Sequence, residues 1–234
     1  MSGLRIVLVE PREAGNVGAV ARVMKNFGFD DLVIVGEHPQ LLPVAGWWAS
    51  GADDLLERAR FTTTLQEALA DAHLTVATTS TRGRTTPADF TPQELAPQLS
   101  LLTEGQILAL VFGREDSGLT REEVVQCHRT ALIPTNEQFP TMNLAQAAGV
   151  FCFALSSVER KSTMRELAPA ILIERLHERL EALLLEVGFL HANNPARIYD
   201  EVRAMIGRAS LDQREVTVLL GLVRQIEWKI GRGS

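Results

Sequence analysis

Five apolar runs bounded by turn residues punctuate the first two-thirds of the chain: Arg5–Glu10, Asp31–Gly36, Leu74–Ser80, Ile107–Gly113 and Thr130–Pro134. Their apolar positions are contiguous rather than alternating, as in strands buried on both faces of a parallel sheet. The stretches between them carry helical spacing, so the pattern predicts an α/β fold, a parallel sheet with helices on both faces. Three helix starts carry capping boxes: Thr64 with Glu67, Thr91 with Pro92 and Glu94, and Thr120 with Glu123. In each, the hydroxyl accepts from a free backbone N–H while the carboxylate reaches back to the N–H of the cap.

The pattern changes at the polar segment Glu159–Pro169, which ends in proline and reads as a linker. The chain therefore divides into a first domain over 1–161, a linker over 162–169 and an all-helical extension over 170–234. Leu172, Ile173, Leu176, Leu180, Leu183, Leu184 and Val187 make one apolar stripe at helical spacing. Asn194 with Pro195 at N1 starts a second helix running to about Arg208. Ser210 and Gln213 predict a capping box for a third, with Val216, Leu219, Leu220, Val223, Ile226 and Ile230 on one face. Neither an internal repeat nor a low-complexity segment is present.

Composition narrows the class. A chain of 234 residues, 46% hydrophobic and 22% charged, can bury a sizeable core as an ordinary soluble protein. No apolar run reaches the roughly 18 residues needed to span a bilayer, and no signal peptide is legible at the N-terminus. Cys127 and Cys152, both in predicted helices and without a Cys-x-x-Cys spacing, read as reduced thiols, which predicts a cytoplasmic setting. The five histidines lack metal-ligand spacing, so no metal is expected, and His73 and His128 are placed at the surface or at helix ends. Neither a Gly-x-Gly-x-x-Gly after a strand nor a Walker loop is present, which disfavours nicotinamide and P-loop chemistry. The net charge of −6 argues against a nucleic-acid partner, because phosphate binding draws on Lys and Arg. Arg58, Arg60, Arg82, Arg84, Arg114, Arg121 and Arg129 could cluster into a basic face. Scattered solvated charges are the alternative, and composition alone favours it.

The candidate chemistry lies in three polar, Gly- or Asn-bearing segments at predicted strand ends: Asn16-Val-Gly-Ala-Val-Ala-Arg22, Phe112-Gly-Arg-Glu-Asp-Ser-Gly118 and Thr141-Met-Asn-Leu144. In an open α/β sheet, loops at the carboxyl ends of the strands converge on one crevice, so the three predict one ligand site. Trp47 and Trp48 fall in a predicted loop after Gly46, where base stacking, core packing and subunit packing are all open. By residue type alone, Asn16 and Asn143 suit helix N-caps, Glu115 a solvated carboxylate and Arg22 a surface ion pair.

In order and wording, the three segments resemble the SPOUT class of RNA methyltransferases, in particular the TrmH/TrmJ-type 2'-O-ribose methyltransferases. The resemblance rests on Asn16, Gly18, Ala19 and Arg22; on Phe112, Gly113, Glu115, Gly118 and Leu119; and on Thr141, Met142, Asn143 and Leu144, over about residues 4–160. Thr141 and Met142 stand where the class usually has Ser and Leu. The resemblance implies a SPOUT-type sheet whose C-terminal segment is tucked into a trefoil knot. It implies S-adenosylmethionine as cofactor, contacted by Thr79, Ser80, Thr81, Gly113, Ile133, Thr141, Met142, Asn143 and Leu144. Arg22, Asn16, Glu115 and Asn143 become the catalytic candidates, and Arg22, Arg82, Arg84 and Arg114 the RNA-binding ones. It places Arg22 near the substrate phosphate and 2'-OH. A guanidinium is a poor base, so its role there is to hold phosphate and stabilise developing negative charge. The pattern begins at residue 4 and a helical extension follows, which within the class points to the TrmJ group, to a homodimer and to position 32 of the tRNA anticodon loop. The alternatives are a TrmH-type rRNA methyltransferase and a non-catalytic RNA-binding or ribosome-assembly protein that kept the fold.

Overall fold

A computed structural model describes residues 3–36, 41–80, 87–156, 167–190 and 195–231. In chain order the elements are β1 (Leu4–Val9), α1 (Ala14–Asn26), β2 (Asp31–Val35), α2 (Leu41–Ala49), α3 (Asp53–Glu57), β3 (Arg60–Thr62), α4 (Leu65–Leu69) and β4 (Leu74–Thr79). They continue with α5 (Pro92–Ser100), β5 (Leu108–Phe112), α6 (Arg121–Val125), β6 (Arg129–Leu132), α7 (Leu144–Ser156), α8 (Ala170–Glu186), α9 (Pro195–Ala209) and α10 (Gln213–Ile230). The strands form one parallel sheet in the order β3-β2-β1-β5-β4-β6.

The apolar runs are contiguous because the sheet is covered twice. Ile6, Leu8, Ile34, Leu110 and Phe112 face the layer that holds Val17, Val20 and Met24 of α1, Leu95 of α5 and Phe151 of α7. Val7, Val9, Val33, Val35, Ala109 and Val111 point the other way, against Leu65, Ala68 and Leu69 of α4. All three predicted capping boxes are present, at Thr64, Thr91 and Thr120.

Several local expectations fail for identifiable reasons. Strand β3 carries no apolar run, because it is a three-residue edge strand with Arg60 and Phe61 exposed. Trp47 and Trp48 lie in helix α2 rather than a loop. That helix packs against α1 across Gly18, where an added Cβ would come within 2.1 Å of the Ala45 carbonyl oxygen. Cys127 sits just past α6, not inside a helix, while Cys152 is buried in α7. Desolvation pushes both thiols up to about 12, so both are thiols at neutral pH.

Helices α8 and α10 share their own small core of Ile173, Leu176, Leu183, Val216 and Val223. The cap of α10 is Asp212 with Glu215, not Ser210 with Gln213. Ser210 instead has φ 49° and turns the chain between the helices. Most of the predicted linker, and Asn194, fall outside the described residues. At its end, Ala168 N–H donates to the Leu211 carbonyl (2.9 Å) beside the start of α10, and Ala170 N–H donates to the Ala72 carbonyl (2.7 Å), tying the helical part to the sheet layer. His128 is not a surface group. Its Nδ1 accepts from the Thr75 N–H (3.3 Å), and the α9 backbone presses on it at Gly207, where a Cβ would meet the His128 carbonyl oxygen at 2.6 Å. Among the described residues, no helix is long and apolar enough to cross a membrane.

Candidate active site

Strands β4, β5 and β6 end on a cleft of about 860 Å3. Thr79 and Ser80 line it from β4, Gly113 and Glu115 from the turn after β5, and Ile133, Thr141, Met142 and Leu144 from the segment between β6 and α7. Thr81, Arg82 and Arg84 lie outside the described residues. Phe112 of the second segment lines the cleft, as do Thr135, Pro140 and Phe151, which carried no signal of their own in the sequence. The Thr135 hydroxyl donates to the Pro140 carbonyl (3.1 Å), closing the loop that forms one wall.

The turn after β5 is built tightly. Arg114 and Gly118 exchange backbone hydrogen bonds of 3.2 and 2.8 Å, and Gly118 has φ 69°. A Cβ on Gly113 would lie 2.1 Å from the Gly118 carbonyl carbon, so only glycine fits. Opposite this turn, Glu10 leaves β1 with φ 44°, a left-handed conformation costly for a side chain with a Cβ and a mark of local strain at the cleft edge.

Glu115 is the junction between the turn and α1. Its Oε2 accepts from the Arg12 N–H (2.9 Å), and its Oε1 from the Glu13 N–H (3.2 Å) and Asn16 Nδ2 (2.9 Å). Burial by itself would raise this carboxyl. The Asn16 amide and the backbone N–H groups outweigh it and hold Glu115 below the usual carboxylate range. Asn16 is therefore not a helix cap. The cap position of α1 is Glu13, which makes no side-chain cap bond, and Glu115 serves the start of the helix from another element.

The third segment joins the same network. Asn143 Nδ2 donates to Asn16 Oδ1 (2.8 Å), while Asn143 Oδ1 caps α7 by accepting from Ala145 N–H (2.9 Å) and Gln146 N–H (3.3 Å). One chain of hydrogen bonds, Asn143 to Asn16 to Glu115, thus links all three sequence segments.

The arginines part company. Arg22, on the outer ridge of α1, is exposed and has no hydrogen-bond or ion-pair partner among the described residues. Arg114 is locked away at 12% exposure, paired twice with Glu123 (3.0 and 3.0 Å) and once with Glu10 (2.9 Å). Its pKa is raised, by the Glu123 bonds first and the Glu10 bond next. A phosphate at this position would have to compete with those pairs. Arg58 pairs with Asp54, Arg60 with Asp31 and Arg121 with Asp200, while Arg129 donates to the Arg208 carbonyl. The five of these arginines that are described are thus each engaged by a carboxylate or a backbone carbonyl; Arg82 and Arg84 lie outside the described residues.

The cleft has the size and the mixed apolar and polar lining of a small-molecule site. Its backbone turns, two hydroxyl-bearing strand-end residues and walls of Ile133, Met142 and Phe151 fit a nucleoside-bearing ligand. Groups of His, Cys, Asp and Glu able to hold a metal are absent among the described residues.

Comparison with known proteins agrees with this geometry. The model of the SpoU rRNA Methylase family matches residues 3–153, and that of the tRNA methyltransferase TrmJ C-terminal domain matches residues 172–234. A tRNA (cytidine/uridine-2'-O-)-methyltransferase TrmJ from Klebsiella pneumoniae is 36% identical over 240 residues, covering 97% of each chain. The crystal structure of TrmJ from Z. mobilis ZM4 superposes with a TM-score of 0.82 at 33% identity, over 95% of this chain and 98% of that one. A probable methylase family protein from Haemophilus influenzae Rd KW20 follows at 0.61 and 26% identity, over 100% and 99%.

Proposed function

This chain belongs to the SpoU rRNA Methylase family and carries the TrmJ C-terminal domain, and on that premise we propose that it is an S-adenosylmethionine-dependent tRNA 2'-O-ribose methyltransferase acting at position 32 of the anticodon loop. The observation that carries the reading is the Asn143–Asn16–Glu115 chain, which ties a nucleoside-sized cleft to the helix bearing Arg22, an arginine without a partner among the described residues.

The cofactor supplies a methyl group on a cationic sulfur with a neutral thioether as leaving group. Thr79, Ser80, Ile133, Thr141, Met142 and Leu144 line the cleft that would hold it, with Gly113 giving the backbone its close approach. Asn143 and Asn16 fix the start of α7 and the first turn of α1 relative to each other, so that Arg22 is presented on a rigid helix. Arg22 grips the substrate phosphate and stabilises the oxygen as its proton is lost to water. A guanidinium is a poor base, so it does not take the proton. Glu115 is not the base either, since a carboxylate held low by three donors has little affinity for a proton. Positioning and charge stabilisation carry the catalysis.

The reading includes a homodimer and a cytoplasmic setting. Ala145, Gly149 and the 66%-exposed Phe153 make an apolar strip on α7 beside α1, suited to a second copy. It also includes the trefoil crossing of the C-terminal segment, which the strand order β1-β5-β4-β6 supports. The test is methyl transfer from labelled S-adenosylmethionine to unmodified tRNA, with the modified nucleotide mapped. A 2'-O-methyl at position 32 is expected. Label entering rRNA alone would move the substrate, and donor binding without transfer to either RNA would remove the activity.

A further inference from the structure

Two adjacent indoles stand beside the site with no role assigned to them. Trp47 is 83% exposed and Trp48 60%. They are not core residues turned outward by chance, because α2 already buries its inner face through Ala45 and Ala49. The Trp48 ring lies over the first turn of α1: a Cβ on Gly15 would come within 3.3 Å of its Cε2 and Nε1. A residue with no side chain at Gly15 is what lets the ring rest there. The next residue is Asn16, whose amide belongs to the Glu115 network. Seven residues on from Gly15, almost two turns along the same ridge, stands the exposed Arg22.

We propose that Trp47 and Trp48 form a stacking platform for an unpaired base next to the ribose that is methylated. The inference rests on the RNA methyltransferase reading and adds positioning residues to it. A free cation and two exposed aromatic faces on adjoining helices match a strand of RNA, whose phosphate takes the cation and whose base takes the ring. Stacking is tolerant of base identity, so the platform orients the strand without selecting its sequence. It also fits a chain of net charge −6, since aromatic faces and one placed arginine hold RNA without drawing on net positive charge.

The chain has three tryptophans, and the third, Trp228, lies in α10, so indole emission can report on the pair directly. The experiment uses the full chain in four forms: unsubstituted, Trp47→Ala with Trp48→Ala, Trp47→Phe with Trp48→Phe, and Trp228→Phe. Added tRNA should quench emission in the Trp228→Phe protein. The double alanine variant should raise KM for tRNA by about ten- to a hundredfold, the loss of one stacked base. Its kcat and its calorimetric affinity for S-adenosylmethionine should stay within about twofold, and the double phenylalanine variant should recover most of the KM. An unchanged KM, or absent quenching with an active enzyme, would overturn the platform. So would a change in sedimentation of the double alanine variant, which would assign the indoles to contact between two copies. If the unsubstituted protein transfers no methyl yet tRNA still quenches, the activity reading fails and the platform stands.

Discussion

The two ends of the sheet each hold a polar network joining three parts of the chain, and the two are built to opposite specifications. At the amino ends of the strands, Arg5 on β1 is 2% exposed and donates to Asp31 (2.8 Å), Asp71 (2.9 Å) and the Ala68 carbonyl (2.9 Å). Desolvation opposes its charge, and the two carboxylates more than restore it. All three guanidinium nitrogens donate, and the group is enclosed. At the carboxyl ends, two neutral amides, Asn143 and Asn16, lead to the carboxylate of Glu115, which lines an open cleft, and α1 carries an arginine without a partner among the described residues. A network that closes on itself stabilises; one that stops at a cleft with a cation left over prepares a site. Charge alone does not tell them apart, since Arg5, Arg22 and Arg114 carry the same group.

The contrast breaks first at Arg22. Arg22→Ala should cut methyl transfer by on the order of 10²–10³, or about 2.7–4 kcal/mol, the scale of removing one transition-state charge stabiliser. Because the side chain is exposed and without a partner among the described residues, stability should change by no more than about 0.5 kcal/mol, and donor affinity should hold. Single-turnover rates beside thermal melting separate the two. Activity retained in this variant would take Arg22 out of the mechanism.

Arg5→Met should do the reverse. It orphans the Ala68 carbonyl and unpairs Asp71, while Asp31 keeps Arg60 at 3.1 Å. A loss of about 3 kcal/mol follows, the lower end for breaking a buried pair because both carboxylates can reach water. The melting temperature should drop by several degrees, roughly 6–12 °C, while turnover per folded molecule stays at its unsubstituted value. A melting temperature unmoved by the change would remove the structural role given to this end.

Glu115→Gln sharpens the comparison with a smaller effect. Three donors converge on the two Glu115 oxygens, and a carboxamide offers one oxygen and turns an NH2 toward the other donors. About 1–2 kcal/mol of stability should be lost. Methyl transfer should fall by about tenfold as Asn16 loses its fixed orientation. Denaturant melts and initial rates with both substrates report the two losses separately.

How far this architecture could be read beforehand follows from the range of each interaction. Five of the six strands and three capping boxes were legible, because an apolar run and a Thr-x-x-Glu spacing are local signals. Strand β3 was not, since three residues on an edge need no apolar run. Gathering the three motifs into one site was legible from their strand-end placement, yet the parts played within it were not. Asn16 looked like a cap because its partner lies 99 residues away in Glu115, and Arg114 looked free because its partners Glu123 and Glu10 lie in other elements, 9 and 104 residues away. The indoles of α2 looked like a loop because Gly46 and the aromatic pair lower helix propensity. Only the packing of Gly18 on Ala45 shows why a helix forms there.

The smallest effect tests where the helical part is fastened. His128, half-buried at the sheet, and His177, buried on α8, are both neutral, pushed down to about 4 and about 3, first by desolvation and then by neighbouring cations, with Arg203 among them in both cases. His177 Nδ1 lies 3.2 Å from the Tyr199 hydroxyl, which joins α8 to α9. An unfolded histidine titrates near about 6.5, so between pH 6.5 and 4 the unfolded chain binds more protons than the folded one. Stability therefore falls as pH drops through that window and levels off below the folded values. Glu115 and Asp71 are depressed carboxylates, so their contributions are present above about 4.5 and are lost only at more acid pH. The seam at α8 and α9 should thus loosen before either end of the sheet does. His177→Phe keeps the ring volume and leaves the His177 backbone carbonyl to accept from Tyr199. Its melting temperature should fall less steeply between pH 6.5 and 5 than that of the unsubstituted protein. Equal slopes would mean that acid sensitivity in this range resides in the sheet layer rather than at the seam.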